Sequence, residues 1–138
     1  MTGTHMRDLQ PDWATDVAIL ELTGSTVTDH GDHLVVRTPD NPDYHWGNCL
    51  LVTDASAVDD GARWEARFTE EFPSSHWLAV GLPALPTDTD SWTVRAIELE
   101  PLEVLTTRSQ PRSAPLADGY TVRELTPDDF ETMVQREL

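Results

Sequence analysis

The 138-residue chain contains no lysine: its nine basic residues are all arginine, set against 25 aspartates and glutamates, for a formal net charge of −16. A field of that sign repels phosphate backbones and anionic lipid, which argues against nucleic acid or an acidic membrane as a partner. Cysteine occurs once, as Cys49. No intramolecular disulfide framework is then available, and the chain fits a reducing, cytoplasmic setting. Apolar runs are short, none approaching the roughly 20 residues of a membrane-spanning helix. The opening MTGTHMRDLQ has no apolar segment of the secretory type. Glycine is scarce and scattered, with no two of the seven closer than seven residues (Gly24 to Gly31). Neither a P-loop nor a dinucleotide loop can be written onto it, nor any run of glycines presenting successive amides to a pyrophosphate.

What is present points to a folded domain. Five tryptophans, at 13, 46, 64, 77 and 92, are too many core-type residues for a disordered acidic tail. Residues 11–23, PDWATDVAILELT, predict a helix, with Pro11 in its first turn and Gly24 as the left-handed residue after its end. Trp13, Val17 and Leu20 share its apolar face, widened by Ala14, Ala18 and Leu22. Strands are predicted at 25–29 and 33–39 around the turn residues Asp29, Gly31 and Asp32, and a third at 48–53, giving an antiparallel meander. Residues 59–72 carry the clearest helical pattern. Trp64, Phe68 and Phe72 recur at i, i+4, i+8, Asp59 or Asp60 is the cap, Arg67 can pair with Glu71, and Pro73 stops the helix. HWLAVGL, 76–82, reads as a buried, central strand. A short helix near 88–97, held by Trp92 and Ile97, and an outer strand at 100–107 follow.

Candidate chemistry concentrates in HLVVRTPDNPDYHWGNCLLV, residues 33–52. His30 and His33 stand three apart and His45 and Cys49 four apart, ligand types that suit zinc. The spacing is irregular, no C-x-x-C anchors it, and Gly47 argues against an extended 45–49 that would align His45 with Cys49. A hydrolase reading has only the sequence neighbours Ser75 and His76, without a G-x-S-x-G. Cys49 lies in an apolar run and reads as a small hydrophobe. The loop 39–47, in which Pro39 and Pro42 stop strand pairing, is expected to act as a structural plug packed by Trp46 and stopped by Gly47, with Tyr44 and Trp46 turned inward and His45 outward; the alternative is a ligand-binding role. No catalytic, cofactor-binding or metal-binding residue is assigned.

Past residue 107 the character changes. RSQPRSAPLAD, 108–118, reads as a linker. GYTVREL, 119–125, predicts a strand, and TPDDFETMVQREL, 126–138, a helix capped by Thr126 with Pro127 at its first position and Asp129 three residues on. Phe130, Met133, Val134 and Leu138 would form its apolar face. The expected organisation is a flexible start (1–9), a domain (10–107), a linker (108–118) and the opening elements of a second domain (119–138).

Taken together, DHLVVRTPDNPDYHWGNCLLV, ARWEARFTEEFP, HWLAVGL and LEPLEVLTT resemble the N-terminal, degenerate acetyltransferase-like domain of tandem GNAT-family N-acetyltransferases of actinobacterial type. GYTVRELTPDDFETMV resembles the first strand and helix of a following GNAT domain. The resemblance implies an α/β (α+β) fold with a mixed, mainly antiparallel twisted sheet flanked by helices. It implies acetyl transfer from acetyl-CoA to an amine in the full-length family. This sequence departs from the family pattern in lacking the glycine-bearing Q/R-x-x-G-x-G/A loop that grips the cofactor pyrophosphate; Gln110, Pro111 and Arg112 do not replace it. The family's catalytic tyrosine and base have no matching position. The chain is then expected to be a non-catalytic portion that binds no acetyl-CoA. Its partner would be a C-terminal GNAT domain or a second copy in a homodimer. Arg108 and Arg112 could reach phosphates, though an arginine pair in a linker is more often solvated. The alternative is an acidic protein-interaction module, engaging a basic partner through the carboxylates around 40–43, 54–60 and 86–90.

Overall fold

The computed structural model describes residues 9–137 of the chain. Residues 1–8 and Leu138 lie outside the described residues, and with them most of the expected flexible start and the last member of the C-terminal apolar face. Leu9, grouped with that start, packs against the core instead. The chain divides into two units, Met1–Val104 and Leu105–Leu138.

The first unit opens with α1, Pro11–Leu22. Its end is a Schellman turn: the Ser25 amide donates to the Leu20 carbonyl and the Gly24 amide to that of Glu21. That geometry puts Gly24 at φ +98°, where a side chain is strained. Three antiparallel strands follow, β1 (Thr26–Asp29), β2 (His33–Arg37) and β3 (Cys49–Val52). Val27 is paired with Val36 and Val35 with Leu50. After α2 (Gly61–Glu71) the two-residue β4, Val80–Gly81, returns parallel to β3, and the sheet order is β1-β2-β3-β4. The result is a mixed α/β fold with a mostly antiparallel sheet flanked by helices.

Why HLVV and CLLV read as unbroken runs is now visible. Both central strands are buried on both faces, so strict polar–apolar alternation has no place in them. One face presents Leu34, Val36, Cys49 and Leu51 to α1, where Val17 is buried and Trp13 reaches Gly81. The other presents His33, Val35, Leu50 and Val52 to α2, whose Trp64 and Phe68 are buried and whose Phe72 ring lies 4.9 Å from that of Phe68. Arg67 pairs with Glu71 at 2.6 Å, as the spacing implies, and Asp60, rather than Asp59, caps the helix.

Several expectations change. Leu22 is 87% exposed and takes no part in the α1 face. The strand expected over 76–82 contracts to β4 and lies at the end of the sheet rather than in its middle, hemmed in by the Ser75 turn before it and Pro83 after it. The helix near 88–97 shrinks to α3, Asp90–Thr93, because Ala96 turns to φ +57° and the chain folds back so that the Ile97 amide reaches the Trp92 carbonyl. Trp92 does hold it down, fully buried with Nε1 donating to the Val58 carbonyl at 2.9 Å. Residues 100–107 form no strand, and Leu102, Val104 and Leu105 are exposed.

The second unit is irregular as far as Thr126. Residues 119–125 carry no strand, and Tyr120, Val122 and Leu125 are exposed. A strand needs a hydrogen-bonded neighbour, and the described residues of this unit supply none. The helical signal fares better. A tight turn at Pro127–Asp129 leads into α4, Phe130–Glu137. The reciprocal capping box between Thr126 and Asp129 is formed, and Asp129 also binds Arg123 through two 2.6 Å contacts.

Candidate functional site

The residues singled out from the sequence do not converge. His30 and His33 stack with ring centroids 4.8 Å apart, whereas His45 stacks on Trp77 at 4.3 Å. Cys49 is buried, its Sγ 3.4 Å from the Trp46 carbonyl, and desolvation, helped by Asp16, pushes its thiol up to about 12. Such a thiol is protonated and inert as a nucleophile. Among the described residues no group of three or more His, Cys, Asp or Glu side chains is placed to hold a metal ion. Ser75 turns its hydroxyl to the Trp77 carbonyl, and neighbouring His76 is exposed.

The most developed polar cluster is one that local sequence patterns do not announce. His33, only 6% exposed, places Nδ1 2.5 Å from Asp32 Oδ1 and accepts at Nε2 from Arg67 Nε at 3.2 Å. A guanidinium only donates, so Nε2 is the bare nitrogen and the ring proton sits on Nδ1, facing the carboxylate. The His33 hydrogen bond, reinforced by Arg63 against the opposing effect of burial, holds the Asp32 carboxyl below its usual range. Arg63 pairs with Asp32 and lies over the Trp64 ring at 4.6 Å. Four residues further along the same strand, Arg37 pairs with Glu71 and covers the Phe72 ring at 4.7 Å. The cluster borders a cleft of about 320 Å³ lined chiefly by Asp32, His33, Arg63, Trp64, Arg67 and Glu70.

Chemically this arrangement is a brace. Both His33 nitrogens are occupied and each guanidinium faces a carboxylate, so the polar groups of the cluster bind chiefly one another. What it does is fasten α2 to the β1–β2 turn and to β2 along one polar seam. The seam follows from local geometry: His33 and Arg37 share a face of β2, while Arg63 and Arg67, four apart, share a face of α2.

The loop between β2 and β3 is the second distinctive feature. Asn48, 8% exposed, accepts from the Thr38 amide at 3.1 Å and donates to the Asn41 and Tyr44 carbonyls, both at 2.9 Å. Thr38 Oγ1 donates to the Gly47 carbonyl at 2.7 Å and contacts Ser25 Oγ at 2.8 Å. A Cβ on Gly47 would meet Thr38 Oγ1 at 2.5 Å. The plug of this loop is therefore Asn48 and not Trp46. Tyr44 and Trp46 are 46% and 50% exposed, because residues 45–47 form a helical turn that abolishes the alternation of an extended chain.

A third observation concerns the loop that opens α2. It carries Asp54, Asp59 and Asp60. The Asp60 carboxylate accepts from the Arg63 amide, and the Gly61 amide faces Ser91 Oγ at 3.3 Å. A Cβ on Gly61 would land on the Ser91 carbonyl, so α3 sits against the helix start. Asp59 accepts from the Thr87 hydroxyl and from the Thr87 and Asp88 amides; the hydroxyl is the main cause of its lowered pKa. Arg108 and Arg112 lie in the other unit, exposed and without an ion pair among the described residues.

Comparison of the chain with protein-family models, curated proteins and solved structures finds no match. No helix among the described residues is long and apolar enough to cross a membrane.

Proposed function

We propose that this chain is the N-terminal, non-catalytic portion of a cytoplasmic GNAT-type N-acetyltransferase with tandem GNAT-like domains, shaping the substrate side of the full enzyme. The start of α2 carries the non-catalytic part of the reading. A pyrophosphate-gripping loop needs open backbone amides at a helix start and a field that welcomes anions. Here the amide of Arg63 is taken by the Asp60 carboxylate, Ser91 covers the first turn, and Asp59 stands immediately before the cap. Such a site repels a pyrophosphate.

The second domain is the expected holder of acetyl-CoA. Residues 119–138 resemble its opening strand and helix, and α4 leaves Phe130, Met133 and Val134 exposed beside an already formed capping box. An apolar face of that kind gains stability when the rest of a domain covers it.

Isothermal titration of acetyl-CoA into the purified chain tests the reading. No heat above dilution is the expected result. Saturable binding at micromolar concentrations would require a cofactor cleft in this portion and would overturn it.

A second reading, an acidic interaction module, is favoured by one observation. Arg37, Arg63, Arg67 and Arg95 are each paired internally with carboxylates, and exposed acids such as Asp40 and Asp43 are left with no basic partner among the described residues. Binding of this kind to a basic partner should weaken steeply above about 0.15 M salt.

A further inference from the structure

We propose that the loop 39–46 is a docking surface for the Arg108–Arg112 segment of a second copy of this chain, so that two copies exchange arms about a two-fold axis. The loop has the properties of a binding surface rather than of a passive connection. Tyr44 and Trp46 are about half exposed, although aromatic rings of this size are usually withdrawn from water. They are held on a rigid base: Asn48 ties the loop at three backbone points, and Thr38 ties it at a fourth. A surface already fixed in shape loses little freedom on binding. Asp40 and Asp43 stand in the same loop, exposed and with no hydrogen bond or ion pair among the described residues. Aromatic faces next to unpaired carboxylates are what a guanidinium seeks, stacking on the ring while its N–H groups reach an anion.

The chain supplies that guanidinium itself. Among the described residues, the arginines without a carboxylate partner are Arg108, Arg112 and Arg136. Arg136 stands in a helix beside Glu137. Arg108 and Arg112 belong to an irregular, exposed run, RSQPR, with no acid between them and with Pro111 limiting its freedom. Residues 105–118 contain two arginines and one acid, Asp118, for a net +1, within a chain of −16. A stretch with unpaired arginines and a pre-shaped acidic aromatic loop therefore lie on one sequence. Two-fold exchange uses both halves twice, doubling the buried contact without any new surface. Proline-bearing segments docking on exposed aromatic rings are a recurrent recognition mode.

Sedimentation velocity over a concentration series of the full chain, about 10 μM to 1 mM, tests this. A dimer is expected that weakens as salt rises from about 0.05 to 0.5 M. Trp46→Ala, and separately the Arg108→Ala/Arg112→Ala pair, should each raise the dissociation constant by roughly tenfold or more. At concentrations where the parent is monomeric, the thermal unfolding of both variants should stay that of the parent, since all three side chains are exposed. Mixing the two variants is the decisive step. One brings an intact arm and the other an intact loop, so half of the exchange is restored and a heterodimer forms more tightly than either variant forms a homodimer. A chain that stays monomeric throughout, a dimer unaffected by both variants, or a mixture no tighter than its parts overturns the proposal.

Discussion

Truncation of Asn48 is the sharpest probe of how the β2–β3 loop is held. In Asn48→Ala the Thr38 amide loses its acceptor, and the carbonyls of Asn41 and Tyr44 lose their donor. A typical intramolecular hydrogen bond contributes about 1 kcal/mol net, and a buried group left unpaired costs about 1–3 kcal/mol. Asn41 and Tyr44 are exposed, so water can replace the amide at their carbonyls; Thr38 is only partly exposed, and its amide bears most of the loss. The expected destabilisation is about 2–3 kcal/mol. With a urea slope near 1.5 kcal/mol/M, the midpoint moves down by roughly 1.3–2 M. Asn48→Asp sharpens the test, because the isostere keeps the acceptor for Thr38 but turns a second oxygen toward two carbonyl oxygens. It must then either bury a charge against them or take up a proton, so it should be no more stable than the alanine variant. Urea unfolding followed by tryptophan fluorescence reads both. A cost below about 0.5 kcal/mol for alanine, or an aspartate variant matching the parent, refutes the clamp.

Gly61→Ala should destabilise by about 1–3 kcal/mol in a thermal melt, since its Cβ meets the Ser91 backbone. Helix propensity alone gives the opposite sign, favouring alanine by about 1 kcal/mol. Asp32 has a folded-state pKa below its unfolded value, so its contribution is present above the unfolded value and lost as pH falls through the folded one. Asp32→Asn should therefore flatten the acid limb of the stability–pH curve, at a neutral-pH cost of about 1 kcal/mol or less for this partly exposed group. An unchanged acid limb counts against the brace. Asp129 is likewise held low, first by Arg123 and then by Thr126. Asp129→Asn, or acid sufficient to protonate it, should reduce the helical Cα chemical shifts of residues 130–137, and unchanged shifts would show that the cap is dispensable.

Much of the architecture was legible because its signals are local. The 3.6-residue stripe of Trp64, Phe68 and Phe72, the cap at Asp60, the glycine after α1 and the unbroken runs of β2 and β3 each lie within a dozen residues. The misreadings share a cause. Residues 100–107 and 119–125 have the composition of strands, but a strand exists only with a neighbour, and composition does not reveal one. The period-2 argument that turned Trp46 inward failed because a helical turn at 45–47 replaced the extended chain. The seam at His33 was hidden for another reason: Arg67 lies 34 residues away, and nothing near either residue marks the other. A histidine opening a strand with an arginine four residues on, facing a helix with arginines four apart, was the available hint.

Cys49 gives the sheet a built-in clock. It is the only thiol in the chain, it lies in β3 between two hydrogen-bonded neighbours, and its proton is held up to about 12. An alkylating reagent reaches it only after β3 has come away from α1 or from the sheet. The rate of modification at fixed pH thus counts openings of the central sheet without any added label. Opening of the adjoining 45–47 turn, whose Trp46 carbonyl lies 3.4 Å from Sγ, is counted with it, so a single chemical reaction reports the breathing of β3 together with the turn that leads into it.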